Sequence, residues 1–393
     1  MDGENVCSYL ATPPKYEEFL VSYLIPNNPV IIGSELVSSW PAFKEWVLPG
    51  QRINWDYLSK NYGQQTVTVA DCSTREFSDQ KRQTMLLRDV VALWKAGKGD
   101  SLYVKDWHLA RAVLGSEEFY STPEIFQDDW MNDYYSACTD DDFRFVYVGA
   151  AGTFTPLHRD VYSSYSWSTN VCGRKRWWLF PPEQTSYLFR KGREEHLETA
   201  FDVRDVDPME VPEFVKAKPI VVEQKEGDTI FIPSGWYHQV ENLTACISIN
   251  HNWCNSVNLP SLYESMCAKV LEVEHALEDV KDMLSENAPE DDDWQQEWVQ
   301  IVQDVVEKDA GWNWVTFWKM VLHALQIATY NSNESTVAAG HWKPAPPELR
   351  PPWSFVKERV QKCYDDFIQR DRREFALIKS LNEVLLAIEA HLA

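Results

Sequence analysis

"TPLHRD", Thr155 to Asp160, sets a histidine and a carboxylate two residues apart, just after the strand-like run "FRFVYVG" (Phe143 to Gly149). Side chains at i and i+2 of an extended segment point to the same side, so His158 and Asp160 converge on one point. Two histidines and one carboxylate on one face of a metal, with the other positions open, are the ligand set of non-haem Fe(II) oxygenases. The third ligand has to come from a remote strand, because closing a barrel brings distant strands together. His238 in "PSGWYHQV", just past a tight turn, is the candidate. An HxD pair alone carries little information, and His238 alone reads as a partly buried histidine at a strand end. What points to a metal is the pair together with a Gly–Asp turn, a short strand and "PSGW" leading into His238.

Such a site needs a β framework, and the surrounding chain reads as one. From about residue 142 to 253 it alternates short strands and turns. "RKRWWLFPP" is stopped by its double proline, and "PIVVEQKEGDTIFIPSGWYHQVENLTACISINHNW" holds three strand-like runs with turns at 226–228 and 233–235. Pro233 and Gly235 suit the second and fourth positions of a type I turn starting at Ile232. Many short strands with regular turn signals predict a sandwich or barrel. Upstream, residues 15–25 have a helical apolar period that stops at Pro26. "NNPVIIG", "QTVTVAD" and "SLYVKDWHL" read as strands; "SWPAFKEWV" and "LLRDVVALWKAG" read as helices. Beyond Leu259 four long stretches carry helical spacing, separated by acidic "PEDDDW" and proline-rich "KPAPPELRPPW". The expected class is α+β: an N-terminal lead-in over residues 1–140, a catalytic core over 141–255 and a helical region over 256–393.

Composition bounds the partners. The 393 residues carry a net charge of −23, and 44% are hydrophobic, enough for a large core. The charge disfavours phosphate backbones and anionic membranes and favours basic partners, so neither nucleic acid nor membrane is expected. The eight cysteines include no CxxC pair, which fits free thiols in a reducing compartment. The acidic N-terminus lacks a signal-peptide pattern and no run is long enough to span a membrane. The expected location is the cytoplasm, and the sequons at Asn242 and Asn333 read as chance matches.

"TPLHRD", "GRKRWWLFPP", "EGDTIFIPSGWYHQVENL" and the final "SINHNW", preceded by "NPVIIG…SWPAFKEW" and "LYVKDWHL", resemble Jumonji-C oxygenases of the small hydroxylase branch over roughly residues 15–255. The resemblance implies a double-stranded β-helix (a cupin-like jelly roll) using Fe(II), with 2-oxoglutarate and O2 as cosubstrates. It implies His158, Asp160 and His238 as iron ligands. It also implies Lys175 and Thr155 on the far carboxylate of 2-oxoglutarate, Tyr147 as a wall of that pocket and Asn250 as a further cosubstrate contact. Tyr147 reads equally as a core tyrosine. Lys175, Trp177 and Leu179 share one strand face, with Arg174 and Arg176 on the other. Ser248, Asn250 and Asn252 likewise share a polar face of the last strand, which leaves His251 as structural. The segment "VYSSYSWSTNVC" is longer than in some relatives, so no role passes by alignment to Ser168 or Asn170.

The implied activity is protein hydroxylation, at a lysine in a basic segment of a translation termination (release) factor. Two alternatives stand beside it. One is a histone lysine demethylase of the same family, opposed by the lack of a cysteine-rich reader module and of a basic nuclear signal. The other is a non-catalytic scaffold acting through the helical tail, opposed by the intact ligand set and Lys175.

Overall fold

The structure, a computed structural model, describes residues 7–113, 119–191, 198–287, 294–329, 344–370 and 375–393. They form two compact units. The first gathers the described residues up to Phe126 with Asp142–Asp160 and Tyr165–Asn252. The second gathers Gln127–Asp141, Val161–Ser164 and the described residues from Trp253 onward.

The strands in chain order are β1 (Ser8–Leu10), β2 (Val30–Ile32), β3 (Val47–Leu48), β4 (Arg52–Ile53), β5 (Thr66–Glu76), β6 (Asp79–Leu86), β7 (Leu102–Trp107), β8 (Arg144–Gly149), β9 (Phe154–Arg159) and β10 (Tyr165–Cys172). They continue with β11 (Lys175–Phe180), β12 (Ile220–Gln224), β13 (Thr229–Ile232), β14 (Tyr237–Asn242) and β15 (Cys246–Trp253). Nine make one sheet in the order β1-β2-β13-β10-β15-β8-β7-β5-β6, and four make a second in the order β12-β11-β14-β9. Between the two sheets Ile31, Ile230 and Ile232 meet Trp177, Leu179 and Val240 in one apolar cluster. The Gln224 amide ties the sheets further, donating from β12 to the Ser168 carbonyl at 2.7 Å. This is the expected β-sandwich of an α+β protein.

Several local readings change. β5 runs on past Asp71 to Glu76 and turns through Phe77 and Ser78 into β6. The outer positions of β6, "DQKRQTML", are polar and exposed, so no hydrophobic alternation announced it; pairing along β5 holds it as a strand. The last two strands, expected as one run, are divided by a turn at 243–245, where the Leu243 amide donates to the Arg174 carbonyl at 2.8 Å. The turn before β14 starts one residue later than expected. The Trp236 amide faces the Pro233 carbonyl at 3.5 Å, which puts Gly235, at φ +78°, in the third position. A positive φ there is what makes glycine fit.

In the second unit, the stretch expected as one helix after Leu259 divides into Leu259–Ala276 and Glu278–Asn287. The last stretch divides into Trp353–Gln369 and Leu381–Leu392. The helix Trp314–Thr329 supplies aromatic core, with Trp314 4.7 Å and Trp318 5.2 Å from the Phe367 ring. Most of "PEDDDW" and the sequon at Asn333 lie outside the described residues. Asn242 is buried, its amide given to Thr153 Oγ1 at 2.8 Å, so it cannot accept a glycan in the folded chain. Among the described residues no helix is long and apolar enough to cross a membrane.

Two expected outcomes follow from this packing. Gly173, at φ +89°, turns β10 into β11, and a Cβ there would lie 2.2 Å from the Ala245 carbonyl oxygen. Gly173→Ala should cost about 2–3 kcal/mol, and an unshifted denaturant midpoint would refute the tight approach. His251 is fully buried, with its ring 4.2 Å from Trp167 and Tyr120 Oη 2.8 Å from Nε2. Burial, then the Arg144 charge, holds its imidazolium well below the usual range. The unfolded chain takes up this proton below about pH 6.5 while the folded chain resists, so stability present above that pH is lost as pH falls. Melting curves between about pH 7.5 and about pH 5 should show this loss, with a flatter profile for His251→Gln; equal slopes would exclude His251 as a cause.

Candidate metal centre

The site begins with strand register. β14 pairs antiparallel with β9 so that His238 lies directly opposite His158, and the register then shifts between His238 and Val240. A bulge of this kind re-aims the side chains beside it. The extra residue is in β9, where Pro156 and Leu157 together oppose Gln239. Gln239 is buried and anchored at both ends of its amide: Nε2 donates to Asp202 Oδ1 at 2.7 Å, and Oε1 accepts from the Val203 amide at 2.9 Å. The two imidazole rings stand 4.3 Å apart, and one donor atom from each of His158, Asp160 and His238 lies within 4.8 Å of the others. His238 Nε2 is 4.0 Å from Asp160 Oδ2.

The tautomers follow from neighbours. His158 Nδ1 lies 2.8 Å from the Pro156 carbonyl and His238 Nδ1 3.2 Å from the Trp236 carbonyl. A carbonyl can only accept, so both Nδ1 atoms carry a proton, and in the neutral ring the lone pair is then on Nε2. Burial, then the neighbouring His238, holds the His158 imidazolium down, which keeps that lone pair available. Asp160 Oδ2 accepts from Ser166 Oγ at 2.6 Å. Two imidazoles presenting Nε2 and one oriented carboxylate suit a divalent iron, with further coordination positions left open.

Beside this point lies a set of unspent donors. Lys175 is 1% exposed, and its ammonium finds only Tyr103 Oη, at 3.3 Å, among the described residues. Its neighbours Arg174 and Arg176 point outward to Glu223, at 3.8 and 3.0 Å. Ser248 Oγ is buried without a partner, and Thr155, opposite Val240 on β14, makes no side-chain hydrogen bond among the described residues. Asn250 Oδ1 accepts from Ser168 Oγ at 2.8 Å, leaving its amide hydrogens unspent. A buried ammonium without a carboxylate partner, on sheets that also carry unspent hydroxyl and amide donors, fits one carboxylate of a 2-oxoacid. Tyr147 lies opposite Ser248 on β15, and its hydroxyl donates to Asp106 Oδ1 at 2.6 Å. Burial, then Asp106, pushes that phenol well above its usual value, so it stays protonated. The Asn170 amide is spent on the Gly173 carbonyl at 2.6 Å, a turn contact.

The structure thus brings His158, Asp160 and His238 together, sets Lys175, Thr155, Tyr147 and Asn250 on strands of the same two sheets, and adds three residues. Ser166, Gln239 and Tyr103 orient the carboxylate, the bulge and the lysine. Ser166 shares a β10 face with Ser168, the one signal that could have marked it. Ser166→Ala should weaken divalent-metal binding about 10- to 100-fold, as loss of an orienting partner does. Titration with Mn(II) checks this; an unchanged affinity would remove Ser166 from the site.

A cupin-like domain family matches residues 16–258. The 2-oxoglutarate and iron-dependent oxygenase JMJD4 of Mus musculus is 35% identical over 292 residues, 70% of this chain and 67% of that protein. Its counterpart in Gallus gallus is 37% identical over 291 residues, 71% and 65% of the two chains. The arginine-specific demethylase JMJ20 of Arabidopsis thaliana is 38% identical over 289 residues, 69% of this chain and 62% of that protein. The matches therefore span about two thirds of these relatives' lengths or slightly less. The chain belongs to the cupin-like JmjC family of 2-oxoglutarate and iron-dependent oxygenases.

Proposed function

We propose that this chain is a protein hydroxylase that binds iron at His158, Asp160 and His238 and acts on a lysine in a basic segment of a translation termination factor. The observation that carries the chemistry is the convergence of the three donor atoms within 4.8 Å, beside the buried, carboxylate-free Lys175. When bound, iron supplies the activation of O2 that converts 2-oxoglutarate to succinate and CO2 and delivers one oxygen atom to a substrate C–H bond. The protein's part is positional. Lys175, steadied by Tyr103, takes the far carboxylate of the cosubstrate with Thr155, and Asn250 offers its free amide hydrogens. Ser166 fixes which oxygen of Asp160 faces the metal. Tyr147, tied to Asp106, forms a protonated wall that accepts no charge.

The substrate reading rests on the likeness of the catalytic motifs to lysyl hydroxylases and on the net charge of −23, which suits a basic docking segment. It places the protein in the cytoplasm with the translation machinery. A second reading, demethylation, is favoured by the 38% identity to the Arabidopsis arginine-specific demethylase. The two share hydroxyl transfer and differ in the target carbon: an N-methyl carbon leaves as formaldehyde, while a side-chain carbon keeps the oxygen.

Mass spectrometry of the folded release factor after incubation with the chain, Fe(II) and 2-oxoglutarate separates them. Hydroxylation appears as a gain of one oxygen on lysine; loss of a methylene with formaldehyde release would replace it with demethylation. Asp160→Ala should abolish turnover while leaving the fold intact, and normal turnover would refute the ligand set. Lys175→Met should weaken 2-oxoglutarate binding by roughly 1.5–3 kcal/mol, about 10- to 100-fold, with metal binding preserved. Equal cosubstrate affinity in calorimetry would take Lys175 out of the pocket.

A further inference from the structure

A second buried lysine stands in the first unit with no assigned role. Lys105, on β7, is 2% exposed. Its ammonium donates to Gln80 Oε1 at 2.8 Å, and Gln80 is itself buried and fixed by its Nε2 donating to the Phe154 carbonyl at 3.0 Å. Among the described residues no carboxylate lies within 4.0 Å of it. The nearest acidic groups are committed elsewhere. Arg82 takes Asp79 at 2.9 Å and Asp106 at 2.6 Å, and the other Asp106 oxygen holds Tyr147. An ammonium has three hydrogens, so two remain unspent in a place where an unmatched charge is costly.

Its position relates it to the metal centre. Lys105 Nζ and Lys175 Nζ lie 5.4 and 5.8 Å from the centre of the same Tyr103 ring. Lys175 faces Asn242 across β11 and β14, while His238 faces Leu179. Lys175 is therefore rooted four strand positions, about 13 Å, from the histidine row. Gln80, which holds Lys105, is anchored on Phe154 of β9, the strand that carries His158. Burial lowers the Lys105 pKa to about 8, so the group gains from an anion that restores its charge.

We infer that Lys105 is the second carboxylate-binding cation of the cosubstrate pocket, holding the carboxylate at the oxoacid end of 2-oxoglutarate while Lys175 holds the far one. The cosubstrate is a dicarboxylate, and the pocket offers two buried ammoniums, neither paired with a protein carboxylate. This rests on the oxygenase reading and adds a residue to it.

The test uses the full chain loaded with Mn(II), titrated with 2-oxoglutarate and with 2-oxobutyrate, which keeps the oxoacid end and lacks the far carboxylate. Lys105→Met should lower the affinity for both about 10- to 100-fold, whereas Lys175→Met should weaken 2-oxoglutarate binding and leave 2-oxobutyrate affinity within about twofold. Unchanged 2-oxoglutarate binding in Lys105→Met overturns the inference, as does an unchanged 2-oxobutyrate affinity. Melting temperature and Mn(II) affinity verify the fold. Should the methionine variant not fold, Lys105→Gln, which keeps an amide for Gln80 but no charge, is held to the same outcomes. A wild-type chain that binds neither oxoacid would instead bring down the oxygenase reading and this inference with it.

Discussion

The site depends on a single cross-strand pair. His158 and His238 come from strands far apart in the chain, and they meet because β9 and β14 pair in one register, with the bulge at Pro156–Leu157, opposite Gln239, immediately beyond. A slip of one residue in either strand would turn its imidazole to the opposite face, away from the other. The register is held from outside the ladder, since Gln239 is tied at both ends of its amide to residues 202 and 203 in the long connection between β11 and β12. That connection is thereby more than a surface excursion, because it fixes the point at which the pairing breaks step.

Around this pair the protein separates its charges. Its net charge is strongly negative, yet the interior near the histidines holds lysines 105 and 175, both almost wholly buried and neither paired with a carboxylate. Arg174 and Arg176, which flank Lys175 in sequence, are turned outward and share Glu223. Strand alternation does this sorting: one face of β11 carries Lys175, Trp177 and Leu179 inward, and the other carries the arginines to solvent. An acidic net charge with cationic groups confined to the interior keeps the field at the surface and the field in the pocket opposite in sign.

Much of this was legible in the chain. His158 and Asp160 follow from a two-residue period, and Lys175 follows from the alternation of "GRKRWWLF". The hard-to-read parts are those whose signal is relational. Ser166 acts on Asp160 only because β10 returns alongside, and Tyr103 and Lys105 matter only because β7 lies two strands from β15 in the sheet. β6 was invisible because its exposed polar residues mimic a loop, and pairing with β5 rather than a buried face makes it a strand. The turn at Pro233 shifted by one residue because Pro-Ser-Gly satisfies two turn registers, and only the positive φ of Gly235 chooses between them.

Both metal-facing histidines take their orienting acceptor from the main chain two residues earlier, the carbonyls of Pro156 and Trp236. A carbonyl is present whatever side chain the residue bears. Ring orientation at this centre is thus written into backbone shape, and it needs no dedicated acidic partner for either imidazole. The aim of the two rings is insulated from side-chain drift at those two positions and exposed instead to anything that twists the strands.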